Sequence, residues 1–199
     1  MLRMIKNFIK IFFIFILLNM PVLGEENKAL NIGKQDAKIT IKVFSSLTCP
    51  HCASFHNKIF NNLKKEYIDT GKVKFEHHSF PLDLAALNAE KILRTLNDTE
   101  QSFKLLSEIY KTQDQWAIGS DINIINNSIK DIALKFGIKE TQIDKVLKDE
   151  KIQDQILNER INAQKKYKIS STPTIIINEK KYEGKHEFKN FKKLIEKLI

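Results

Sequence analysis

Two residues in this sequence stand out as able to do chemistry: Cys49 and Cys52, its only cysteines, set as Cys-Pro-His-Cys. Disulfide exchange is attack by a thiolate on a disulfide sulfur, so a working site needs one acidified, accessible sulfur and a second within bonding reach. A bond between Cys49 and Cys52 closes a very small loop. It would constrain the unfolded chain little, which makes it a poor structural staple and a better redox couple. If a helix starts here, Cys49 sits at its leading edge, where unpaired N–H groups and the positive end of the dipole favour a thiolate. Cys52 lies one turn in, on the apolar face. Cys49 is therefore expected to exchange with substrate and Cys52 to resolve. Pro50 suits the first turn, where its missing N–H costs nothing. His51 offers a hydrogen bond or positive charge to the Cys49 thiolate. Stabilising that thiolate stabilises the reduced form and makes the disulfide a stronger oxidant.

Other side chains compete for a role. Two cysteines exclude a four-cysteine zinc site, and the adjacency of His77 and His78 departs from the spacing of a Cys2His2 site. No metal is expected. His56 and His186 read as surface or core-edge histidines. Thr172-Pro173 precedes a β-branched run. Proline there is either an ordinary strand start or a cis turn, and the order of elements around it favours the turn.

Those elements follow from periodicity. Lys38 to Ser45 is β-branched and reads as a strand. From Pro50 the period changes: Cys52, Phe55, Ile59, Leu63 and Tyr67 share one helical face, with Phe60 beside them, until Gly71 ends the segment. Residues 72–78 alternate as a second strand, stopped by Pro81. The middle is helical by pattern, over 82–96, 99–116, 123–136 and 141–167. The last opens at Thr141-x-x-Asp144 as a capping box, with a break near Asp149. Residues 174–177 form a strand, 178–180 a turn, 181–183 a returning strand, and 187–199 a terminal amphipathic helix. The order is β-α-β, helical insert, β-β-α: an α/β protein.

The N-terminus reads as export machinery. Arg3, Lys6 and Lys10 precede an apolar run, Ile11 to Leu18, then Pro21 and a cleavage region before Glu25. The run is short for a membrane span, which needs about 20 residues, and an uncleaved anchor is the alternative. No cysteine follows it closely, which speaks against a lipoprotein. These three cations belong to a formal charge of +9. The remaining lysines are scattered among acids, as on a solvated surface rather than a nucleic-acid patch. The expected division is 1–24 signal peptide, 25–37 short extension, 38–81 with 168–199 one domain, and 82–167 an inserted helical domain.

Residues 44–56, with Cys49-Pro50-His51-Cys52 at their centre, resemble the active-site segment of DsbA-like proteins. Residues 171–178, followed by Lys181-Tyr182-Glu183-Gly184, are similar to that family's cis-proline loop and hairpin. The resemblance covers roughly 39–199. It implies a thioredoxin fold with an inserted helical domain, donating disulfides to newly exported, unfolded proteins in the periplasm or another extracytoplasmic space. It implies that Pro173 is cis and that the Thr172 backbone pairs with an extended substrate beside Cys49. It further implies reoxidation by a membrane-embedded, quinone-linked thiol oxidase, with no cofactor beyond the Cys49–Cys52 disulfide. One position departs from the pattern. Many thioredoxin-fold enzymes carry a buried acid six residues before the first cysteine, where this chain has Val43. Proton handling at Cys52 must then use water or another group such as Glu76.

The expected activity is thus an exported oxidase. An isomerase or reductase is the nearest rival. It would need a dithiol kept reduced and usually a dimerisation module, for which residues 25–38 offer little room. A metallochaperone using Cys49, Cys52 and a histidine, or an inert exported binding module, would show no accelerated exchange.

Overall fold

The computed structural model describes residues 29–199; the expected signal segment lies outside the described residues. Strand β1 spans Leu30–Ile32, β2 Ile39–Ser45, β3 Val73–Ser79, β4 Thr174–Ile177 and β5 Lys180–Lys181. They form one sheet in the order β1-β3-β2-β4-β5. β2 and β3 are parallel, as a strand–helix–strand crossover requires, and the other pairs are antiparallel. β1 is an element that periodicity missed. It is three residues long, too short for an alternation to declare itself. The β4–β5 turn is tighter than expected. Ile177 pairs with Lys180, leaving only Asn178 and Glu179 between, both at positive φ as a two-residue hairpin of this twist demands.

Helix α1 fills 50–68 in consecutive pieces: α-helical Pro50–Phe55, a π-helical turn at His56–Phe60, α-helical Asn61–Leu63 and a second π-helical turn at Lys64–Ile68. Its expected inner face is buried throughout. Gly71, at φ +75°, turns the chain into β3. Between β3 and β4 lie α2 (Leu84–Leu93), α3 (Thr99–Lys111), α4 (Gln113–Trp116), α5 (Ile122–Lys135), α6 (Glu140–Leu147) and α7 (Glu150–Tyr167); α8 (Phe188–Leu198) ends the fold. The expected helix over 99–116 is broken at Thr112, and the one over 141–167 at 148–149. Asp149 caps α7 there by accepting from the Ile152 N–H at 3.1 Å. The cap of α6 falls earlier than the sequence pattern suggests. Gln142, not Asp144, reaches back to the Lys139 N–H, at 3.0 Å.

The strands' alternation divides the core. Ile39, Ile41 and Val43 of β2 and Val73, Phe75 and His77 of β3 face α1, α8 and most of the inserted helices. Phe44 and Ile176 point the other way, against Ala163 and Tyr167 near the end of α7. The inserted helices are knitted to the sheet by rings. Phe60 of α1 stacks on Phe103 of α3 at 5.6 Å between centroids, and both meet Phe75 of β3. This is an α/β thioredoxin fold with a helical insertion.

Candidate active site

β2 ends and α1 begins across a four-residue loop, 46–49. Cys49 is the residue before the helix, in an extended conformation, and Pro50 occupies the first turn. The Cys49 carbonyl accepts from the N–H groups of Cys52 and Ala53 at 3.0 and 3.1 Å, which makes it the true start of the helix. Two inserted helices brace this loop. Thr48 donates its hydroxyl to Asp83, the cap of α2, at 2.7 Å. Gln113 of α4 donates its side-chain amide to the carbonyls of Leu47 and Cys49, at 2.7 and 3.1 Å. Neither brace carries a signal in sequence, because each joins residues more than 30 positions apart.

The Thr172-Pro173 peptide bond is cis. It brings the Thr172 carbonyl to 3.4 Å from the Cys49 Sγ, whose S–H donates to it. Cys52 is 1% exposed and Cys49 only 8%. Cys49 is thus more covered than its assigned role suggests, because the Thr172-Pro173 loop closes over its side. Beside it lies a cavity of about 420 Å³ lined by His51, Phe55, Lys58, Thr172, Pro173 and His186 among others.

The two sulfurs meet opposite surroundings. The hydrogen bond from Cys52 is the main influence lowering Cys49; burial opposes it. Thr172 and the backbone N–H groups of Cys52 and His51 add to the lowering, and the Cys49 thiol falls to about 5. Burial pushes Cys52 far up, and the neighbouring Cys49 pushes it further. The expected contact from the His51 ring is not made. What His51 gives the thiol is its backbone N–H, while the exposed ring lines the cavity and its charge bears on His186. Its ring therefore sits on the face a substrate would meet.

Glu76, considered as a stand-in for the acid missing at Val43, lies on the wrong side of the sheet. Strand alternation turns it away from Cys52, and Lys74 and His78 hold it at 2.8 and 2.9 Å. The same alternation separates His77 from His78, so they could not jointly complete a metal site. Among the described residues no three His, Cys, Asp or Glu side chains are placed to hold a metal ion. His56, expected near the surface, is 3% exposed. It is stacked on Phe60 at 4.5 Å and bonded to Ser107 at 2.8 Å. Burial and the nearby His77 hold its imidazole down to about 3.

A thioredoxin-fold sheet with a Cys-x-x-Cys couple at a helix start, facing a cis-proline loop, defines a thiol–disulfide exchange scaffold. The thioredoxin family profile matches residues 25–197, and the chain belongs to that family as a DsbA-like member. Disulfide bond formation protein D of Bacillus subtilis is 32% identical over 179 residues, covering 84% of this chain and 76% of that protein. The crystal structure of Wolbachia pipientis alpha-DsbA1 superposes with a TM-score of 0.79 at 29% identity, over 91% of this chain and 94% of that one. A curated relative from Rickettsia bellii is 32% identical over 148 residues, 74% of this chain; the chain spans little more than half of it, 56%.

Proposed function

We propose that the chain is a thiol–disulfide oxidoreductase that introduces disulfide bonds into exported proteins through the Cys49–Cys52 couple. One observation carries this reading: an acidified Cys49 thiol at the helix start, 3.4 Å from the carbonyl that precedes cis-Pro173. A substrate thiolate attacks the Cys49 sulfur of the oxidised couple, the Cys49–Cys52 bond breaks, and its electron pair leaves with Cys52. A second substrate thiolate attacks the substrate sulfur of the mixed disulfide. The substrate disulfide forms, and Cys49 departs as a thiolate that its surroundings favour. The hydrogen bond from Cys52 and the backbone N–H groups of Cys52 and His51 hold that thiolate, with Pro50 opening the helix that presents them. Thr172 offers backbone groups to an extended substrate, and Pro173 shapes the loop beside them.

The alternating charge of the surface and the covered couple agree with unfolded protein chains as substrates, not nucleic acid. Reoxidation falls to a membrane-embedded, quinone-linked partner, and the chain works outside the cytoplasm. The export segment at 1–24 and the family's habit support both statements. Among the described residues no helix is long and apolar enough to cross a membrane.

The deciding experiment is oxidation of a two-cysteine peptide by the oxidised protein. Wild type should oxidise it, and Cys49→Ala should not; undiminished turnover by the variant would end this reading. Trapping the couple in the exported compartment separates the rivals: mostly disulfide indicates an oxidase, mostly dithiol an isomerase or reductase.

A further inference from the structure

The cavity beside Cys49 takes no part in the sulfur chemistry, yet any chain that reaches Cys49 must pass it. Its lining joins three stretches of the protein: one side of α1 from His51 to Ile59, the loop 171–173, and His186 ahead of α8. Phe55 and Ile59, each 4% exposed, and the buried Pro173 supply its apolar part. The His186 ring is held in place by Phe55, edge-on at 6.2 Å, and by Tyr182, stacked at 6.2 Å. The walls are thus set before a substrate arrives, which spares the cost of ordering them.

The lining is basic. It includes His51, Lys58 and His186 and, among the described residues, no Asp or Glu. Lys58 is exposed and enters no ion pair among the described residues. The acids that flank His186 in the chain are already met: Glu183 by Lys181 at 3.4 Å and Glu187 by Lys189 at 2.9 Å. Burial, and then the nearby His51, hold His186 below the ordinary histidine value, leaving the Lys58 ammonium as the main positive charge of the lining. The surrounding chain adds to this field. Residues 165–199, which carry the cis-proline loop, the β4–β5 hairpin and α8, hold ten lysines and four acids, +6 of the chain's formal +9. A cleft lined by one sign of charge, with apolar walls, draws in the opposite charge.

We propose that this cavity is a subsite for an acidic side chain of the substrate, and that Lys58 sets the preference. This rests on the exchange function proposed above and names a substrate class for it: cysteines with Asp or Glu close by in the chain. Lys58 lies nine residues beyond Cys49. That is about 13 Å along a helix, and helical side chains lean back toward the helix start. An extended peptide advances about 3.3 Å per residue, so an acid roughly two to four residues from the reacting cysteine reaches the ammonium while that cysteine meets Cys49. The apolar part of the cavity takes the stem of the acidic side chain, and its carboxylate meets no like charge in the lining. Lys58 touches no reacting atom. It determines specificity, through capture of the substrate rather than through the exchange of sulfur partners.

The test uses two-cysteine peptides that differ only in carrying Glu, Gln or Lys two to four residues from the reacting cysteine, on either side, as substrates of the oxidised full chain at low salt. For the best-placed position, kcat/KM of the Glu peptide should exceed that of its Gln counterpart about threefold, the worth of a solvent-exposed ion pair. The gap should close in concentrated salt. Lys58→Met keeps the stem and removes the charge, and the preference should vanish. Lys58→Glu should turn it toward the Lys peptide. Lys145→Glu, on the exposed side of α6 and outside the lining, makes the same change in net charge and should leave the Glu preference standing. Three results overturn the proposal: equal kcat/KM for all peptides in wild type, a Glu preference that survives Lys58→Met, or the same loss of preference in Lys145→Glu as in Lys58→Glu. Failure of the exchange reading would look different: none of the peptides would be oxidised by any of these proteins.

Discussion

Two residues separate two identical side chains whose acidities are driven apart. Cys49, held down to about 5, ionises well below the roughly 8.5 of a thiol in an unfolded chain. By linkage, the reduced protein therefore gains stability from this group that is complete above the unfolded value and fades as pH falls through the folded one. The disulfide form has no such group. The unfolding midpoint of the reduced protein, relative to the oxidised, should fall as pH drops from about 9 to about 5 and level off below. Calorimetry on both forms checks this; a difference independent of pH would mean an ordinary thiol at position 49. The sequence made the cysteine assignments legible because helix starts and apolar faces are local patterns. It could not say that the His51 ring turns to the cavity and leaves the thiol to its backbone N–H, because side-chain direction depends on what packs around it.

At the scale of elements, the loop holding Cys49 is set by helices far along the chain. Gln113 satisfies two buried carbonyls, of Leu47 and Cys49. Gln113→Ala strands the Leu47 carbonyl, at about 1–3 kcal/mol, while the Cys49 carbonyl keeps the N–H groups of Cys52 and Ala53. The variant should unfold at lower denaturant and exchange more slowly, its loop no longer fixed. Normal exchange would show that the loop holds itself. Element order was readable from changes of period between 38 and 81 and after Thr172. The π turns of α1 were not; the first carries Phe60, which packs on Phe75 and Phe103, partners distant in the chain. The cap of α6 fell outside the expected motif because Gln142 competes with Asp144 for the same job, and only the approach of the chain decides between them.

In the whole molecule, the insertion and the sheet share one core. Phe103 of α3 stacks on Phe60 of α1 and touches Phe75 of β3, so the inserted helices have no separate apolar centre at this seam. Phe103→Ala should cost about 3–5 kcal/mol, and wild type should unfold in a single transition seen alike by helix and ring signals. Two separated transitions would mean that insertion and sheet are held apart. From the sequence, the insertion reads as a block between two halves of a fold. That it braces the Cys49 loop depends on contacts too distant in the chain for any local pattern to announce.

The sheet's outer strands are only three and two residues long, and the second is Lys180–Lys181. Under the function proposed above, the protein would be surrounded by unfinished backbone seeking something to zip onto. Margins this brief, one of them cationic, give fibril growth almost no template, so such an exchanger would not become the seed of its substrates' aggregation.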